Sequence, residues 1–175
     1  MLLAPGKHEG DILDSVFESL HDELTERETH SLESNLADPI SPRGRTGWAR
    51  VDEEVAELRR HFAGARTPQD YRNVGNDCVT VLEALSRQVY DPDKHLRDGE
   101  EEPPIGKTKQ RIGRFVEDTA PGSDAAVLRK LVRSSIEYVQ EVKHRDTGSR
   151  KEAGIAADSV ILLANLLRRL DEDET

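Results

Sequence analysis

The sequence has almost no cysteine and few aromatic residues. Cys78 is its single cysteine, and aromatic residues make up only 4% of the 175 residues. One cysteine excludes a disulfide within the chain and is typical of a reducing compartment, so we expect a cytoplasmic protein. Aromatic and β-branched residues are enriched in strands, so a core with so few aromatic residues, built mostly of Leu, Val, Ile and Ala, favours helices.

Long apolar runs are also missing from the sequence. No stretch approaches the ~18 apolar residues that a membrane-spanning helix requires. The first residues lack the basic segment and apolar run of a signal peptide, so we expect no membrane partner. The net charge is −10, with 25 Lys and Arg against 35 Asp and Glu. This charge repels nucleic acid at long range, so any RNA contact requires a local basic patch.

The apolar residues that are present recur every three or four positions. This spacing predicts an all-α fold, a helical bundle of about five to six helices. The predicted helices are residues 9–36, a shorter segment ending at Gly64, one starting after Thr67 and stopping near Asp91, residues 107–119, one capped by Ser123, and one from Ser149 to about Leu170.

We divide the chain into three parts from these patterns. Residues 1–66 are interpreted as an N-terminal helical region, residues 67–171 as a helical bundle domain and residues 172–175 as an acidic tail. The sequence leaves open whether residues 1–66 are a separate module or part of the bundle. Residues 91–105 hold six acids and two bases, which predicts a solvated or mobile loop.

The usual metal and thiol chemistries find little support in the sequence. Two Glu-x-x-His pairs occur, Glu18 with His21 and Glu141 with His144, and paired copies of this motif bind two iron ions when they point into a bundle. Both pairs lie away from the apolar stripes of their helices, so we expect no metal site. Cys78 lies on an apolar face, which predicts a buried structural thiol. No cofactor motif is complete.

Two basic patches are the strongest functional signals. The first contains Lys107, Arg111 and Arg114. Steps of four and three residues place these three side chains on one face of a short helix, opposite its apolar residues. An exposed face of this kind is a candidate surface for nucleic acid or another anion. A solvated face without function is the plainer interpretation.

The second patch contains Lys143, His144, Arg145, Arg150 and Lys151. Cations at the end of one helix are explained by the negative end of its dipole. The same dipole disfavours Arg150 and Lys151, which lie in the first turn of the next helix. Free backbone N–H groups and these side chains together form a corner suited to an anion. A phosphate, an RNA backbone or an acidic protein surface would fit there.

Residues 67–170 resemble the C-terminal helical domain of abortive-infection proteins, which belongs to the broader HEPN group. Three stretches carry the resemblance: Asn76–Leu85 (NDCVTVLEAL), Gly106–Val116 and His144–Ala156 (HRDTGSRKEAGIA). The resemblance implies a small helical bundle, frequently a homodimer, in phage defence or a toxin–antitoxin system. It also implies that active members cut RNA without metal, using an arginine and a later histidine with four to six residues between them.

The chain departs from that catalytic pattern. If His144 is the histidine, the arginine would fall within 137–139, where the sequence reads Glu-Tyr-Val. The leading hypothesis is therefore a non-catalytic HEPN-like binding domain that dimerises or binds a partner protein or RNA. The first alternative is a metal-independent RNase that uses His144 with Arg145 or Arg150 as a rearranged catalytic site. A second alternative is an acidic, antitoxin-like partner of a basic protein.

Overall fold

The computed structural model describes residues 45–145 and 148–172, together with Leu20, His21 and Leu24. The described residues contain six helices and no strand, which confirms the predicted all-α bundle. The helices are α1 (Ala49–Gly64), α2 (Pro68–Val89), α3 (Pro92–His95), α4 (Thr108–Thr119), α5 (Ala126–Lys143) and α6 (Arg150–Glu172). None of them is long and apolar enough to cross a membrane.

The chain forms two compact units, residues 1–44 and residues 45–175. Helix α1 belongs to the second unit, where it packs against α2 and α6. The structure thus divides the chain at residues 44 and 45 rather than at 66 and 67. The predicted helix over residues 9–36 lies outside the described residues, apart from Leu20, His21 and Leu24, which are helical. Residues 173–175 of the predicted tail also lie outside them.

Helix α2 is the centre of the bundle, because α1, α4, α5 and α6 all pack against it. Its apolar residues recur at helical spacing and are almost completely buried; they are Val74, Cys78, Val81, Leu82, Leu85 and Val89. Burying each large aliphatic side chain contributes about 1.5–3 kcal/mol. Cys78 is fully buried, as predicted, and desolvation raises the pKa of its thiol to about 12.

Local sequence signals predict some helix ends correctly and one incorrectly. Thr67 caps α2 in a reciprocal box, since its hydroxyl accepts from the Asp70 N–H at 3.2 Å and the Asp70 carboxylate accepts from the Thr67 N–H at 2.8 Å. The predicted cap at Ser123 is wrong. Residues 123–126 form a turn, closed by a hydrogen bond from the Ala126 N–H to the Ser123 carbonyl, so α5 begins later at Ala126.

The acidic segment 91–105 is packed against the bundle, whereas the sequence predicted a solvated or mobile loop there. It begins with α3, whose His95 is buried between the rings of Tyr90 and Phe115. Pro103 is also buried. We refer to residues 97–105 as the acidic strap, because this part of the segment is joined to α4 by ion pairs.

Candidate anion-binding site

The second predicted patch lies where α5 ends and α6 begins. His144 is the C-cap of α5 and is exposed, and its backbone N–H donates to the Glu141 carbonyl at 3.0 Å. No hydrogen bond joins the His144 ring to Arg145 or Arg150 in the part of the chain that the structure describes. The three residues proposed for a rearranged catalytic site are therefore close in the sequence, but no hydrogen bond joins the histidine ring to either arginine.

Arg145 is held by carboxylates of its own chain. Its guanidinium donates to Glu141 at 2.7 Å and to Glu152. These hydrogen bonds, Glu141 first and Glu152 second, raise the pKa of Arg145. Glu152 in turn accepts from Ser149, whose hydroxyl also accepts the Glu152 N–H at 3.2 Å. Both terminal nitrogens of the Arg145 guanidinium, Nη1 and Nη2, are thus used to join the end of α5 to the start of α6.

Arg150 faces an aromatic ring rather than an open corner. Its guanidinium carbon lies 4.9 Å from the centre of the Phe62 ring on α1, a cation–π contact that places the side chain against the bundle. Lys143 and Lys151 are exposed and form no ion pair with the described residues. In this patch, Lys143, Lys151 and His144 therefore remain available to a ligand.

The first predicted patch is not the exposed face that the helical spacing suggested. Arg111 is only 6% exposed. It donates to Glu102 and to the Pro103 carbonyl, both at 2.8 Å, and its guanidinium carbon lies 4.3 Å from the centre of the Tyr90 ring. The prediction that Arg111 lies on an exposed face is therefore wrong. The acidic strap covers this side chain, which has become part of the packing.

The other two residues of that patch line an open groove between α4 and α5. The groove has a volume of about 690 Å³, within the range of ~300–1,000 Å³ that is typical of ligand sites. Cationic side chains dominate its lining: five are basic and one is a carboxylate, Glu117. The basic residues are Lys107, Lys109, Arg114, Arg129 and Arg133. We call this feature the basic groove.

Three of these cations have partners within the chain. Lys109 forms an ion pair with Glu137, and Arg114 donates to both oxygens of Glu100 at 2.7 Å. Arg129 donates to two backbone carbonyls at 2.6 and 2.7 Å in the turn between α4 and α5. Arg129 therefore has a structural role, since it satisfies carbonyls at the end of α4.

The side chains of Lys107 and Arg133 form no hydrogen bond or ion pair with the described residues. Lys107 precedes α4 and Arg133 lies within α5, so they belong to opposite walls of the basic groove. The pKa of Glu137 is lowered, mainly by its hydrogen bond from Lys109 and to a smaller extent by the charge of Arg133. The groove therefore presents two cations that are not committed to a partner.

The N-terminus of helix α4 adds an electrostatic field that is favourable for an anion. It has no side-chain N-cap and no acid in its first turn, so the positive end of its dipole is not neutralised there. Val116, Val132 and Ile136 also line the groove but are at most 2% exposed, so the long side chains of lysine, arginine and glutamine form most of the accessible surface. A carboxylate or a phosphate is the chemical group that suits this surface.

The sequence predicted only part of the groove. Lys107 and Arg114 were recognised, whereas Lys109, Arg129 and Arg133 were missed. One signal was available: Arg129 and Arg133 are four residues apart, so they share a face of α5. The sequence does not show, however, that this face is turned toward α4.

A buried histidine–carboxylate pair lies behind α4 and was also missed. The His95 Nδ1 atom lies 2.8 Å from the Asp118 carboxylate, and Arg97 donates to the same carboxylate at 2.5 Å. His95 is 3% exposed. Because a substrate has no access to the ring, the pair serves to hold α3 and the acidic strap against α4.

Comparison with protein families, with curated proteins and with solved structures finds no match for this chain. The described residues contain no group of three or more His, Cys, Asp and Glu side chains placed to hold a metal ion. The resemblance to abortive-infection and HEPN domains therefore stays a prediction. The geometry of the basic groove is the basis for the function considered next.

Proposed function

We propose that the protein is a non-catalytic binding module that holds an anionic partner in the basic groove between α4 and α5. One observation carries this proposal. In a chain of net charge −10, five cations line one groove, and the side chains of Lys107 and Arg133, on its opposite walls, form no ion pair with the described residues. A cleft lined by charges of one sign concentrates its field, and two cations on opposite walls can contact the same anion, which favours a ligand from outside the chain.

The composition of the groove favours binding over catalysis. Its lining residues include no Ser, Thr, Cys or His, so it offers no nucleophile with an adjacent base. The RNase alternative has less support from the geometry, because Arg145 is paired with two glutamates and Arg150 lies against Phe62. A role in phage defence, and a homodimer, are proposals that follow from the resemblance alone.

Fluorescence anisotropy with two labelled anions tests the proposal. The probes are an oligoglutamate peptide and an oligouridylate of equal length, at low salt. We expect at least one probe to bind the wild type. The double variant Lys107→Glu with Arg133→Glu should lose about tenfold or more in affinity, since a tenfold loss needs only about 1.4 kcal/mol.

The matched control is Arg59→Glu with Lys151→Glu. Arg59 and Lys151 are exposed, have no ion pair among the described residues and lie on helices that do not line the groove, so this variant makes the same change in residue types and net charge. The control should bind within about twofold of the wild type, the effect expected of distant, screened charges. Equal losses in both variants, or no binding of either probe, would contradict the proposal.

A further inference from the structure

The acidic strap is fixed to α4 at two points that do not involve the basic groove. At its start, Arg97 donates to Asp118 at 2.5 Å. Near its end, Glu102 and the Pro103 carbonyl both accept from the buried Arg111 at 2.8 Å. These anchors hold the strap along α4 whatever happens at the residues between them.

Between the anchors, the strap places one carboxylate on a cation of the groove. Both oxygens of Glu100 accept from the Nη2 atom of Arg114 at 2.7 Å, and Arg114 lines the basic groove. Glu101, the next residue, is exposed and makes no ion pair with the described residues. The strap thus pairs one cation of the groove, Arg114, with the carboxylate of Glu100. The adjacent carboxylate of Glu101 has no ion-pair partner among the described residues.

We infer that the basic groove takes an acidic peptide segment of a partner protein, and that Glu100 competes with this segment for Arg114. The inference rests on the proposed function and names its ligand and its regulation. The chain itself contains the example, since a glutamate of an extended acidic segment already binds a groove arginine. A partner segment would extend the same recognition to Lys107 and Arg133, which the strap leaves unpaired.

Two observations favour a peptide over RNA. The lining residues include no aromatic side chain, and single-stranded RNA is bound largely by stacking its bases on such rings. A peptide carboxylate, that of Glu100, also already contacts Arg114 in the groove.

The test is a comparison of Glu100→Gln with Glu101→Gln, using the labelled oligoglutamate peptide and the oligouridylate as probes. The two substitutions remove the same charge from adjacent positions, but only Glu100 contacts Arg114. Because an exposed ion pair is a weak competitor, we expect Glu100→Gln to bind oligoglutamate about two- to fivefold more tightly than wild type. Glu101→Gln should differ from wild type by less than about 1.5-fold, the effect of one screened charge.

Each outcome has a distinct meaning. Equal gains in the two variants would indicate a general charge effect and overturn competition by Glu100. Tighter binding of oligouridylate than of oligoglutamate would overturn the peptide as ligand while leaving an anion-binding groove. Binding of neither probe to the wild type would remove the proposed function itself. Circular dichroism of both variants should match the wild type, because both glutamates are exposed.

Discussion

At the scale of single residues, the same side-chain type has different roles in different surroundings. Arg111 is buried under the strap, Arg129 bonds backbone carbonyls, Arg145 joins two helices through glutamates, and Arg133 has no partner among the described residues. From the sequence alone, these four arginines have the same charge and the same donor groups. The number of carboxylates and carbonyls within reach decides which of them is available to a ligand.

The Asp118 cluster leads to a prediction for the pH dependence of stability. Burial raises the pKa of Asp118, but hydrogen bonds from Arg97 and then His95 outweigh it, so the net pKa lies below the ordinary 3.8. A carboxyl group with a lowered pKa stabilises the folded state above its unfolded-state pKa, and this stabilisation is lost as the pH falls through the folded-state value.

We therefore expect Asp118→Asn to reduce the free energy of unfolding at pH 6 by about 1–2 kcal/mol, the usual range for charge-assisted hydrogen bonds. The difference between the variant and the wild type should shrink as the pH falls through the ordinary pKa of 3.8, where the unfolded state takes up a proton, and on through the lower pKa of the folded state. Urea unfolding of both proteins at several pH values measures this difference in the free energy of unfolding. A difference that stays constant with pH would show that the charge of Asp118 does not contribute.

Individual residues were predictable where their environment is local. The burial of Cys78 follows from its place in the apolar stripe of α2, and the Thr67 cap follows from an Asp three residues later. The exposure of Arg111 was predicted wrongly, because helical spacing reports only neighbours on the same helix. The strap that covers Arg111 comes from residues 97–105, and nothing in the spacing of α4 indicates it.

At the scale of elements, two glycines have opposite roles. A Cβ atom on Gly148 would lie 2.6 Å from the Pro68 carbonyl oxygen and 3.1 Å from the Arg72 backbone nitrogen, so the segment before α6 packs directly on the first turns of α2. A Cβ atom on Gly113, inside α4 and on the groove, would have no neighbour within 4 Å.

We expect Gly148→Ala to lower the free energy of unfolding by about 1–3 kcal/mol, because backbone atoms have to move apart. Gly113→Ala should raise it by about 0.5–1 kcal/mol, since alanine is the better residue in a helix interior. Chemical unfolding of the two variants provides the comparison. Equal stabilities would show that the contact of Gly148 with α2 is looser than its distances indicate.

The order of the helices was predictable from the sequence, whereas the pairs of helices that pack against each other were not. Periodicity identified α1, α2, α4, α5 and α6 because each has a continuous apolar face. The short α3 was missed, since four residues cannot show a period. The α4–α5 groove required knowing which faces of two helices meet, and that depends on how both pack against α2 and α6.

At the scale of the whole molecule, the described part of this acidic chain contains a groove lined by five basic side chains. Acids of the chain pair with three of the cations that the sequence suggested as ligands, Arg111, Arg114 and Arg145. Lys107 and Arg133 escape this neutralisation on the two walls of the basic groove. Of the two basic patches in the sequence, the account assigns the ligand to the first and a mainly structural role to the second.

Backbone amide mapping by NMR tests that assignment most directly. The ¹⁵N-labelled protein is titrated with the oligoglutamate peptide, and the shift of each amide signal is followed. The account predicts that the largest shifts fall in 106–117 and 129–140, on the two walls of the groove. Shifts centred instead on 143–151, at the junction of α5 and α6, would contradict it.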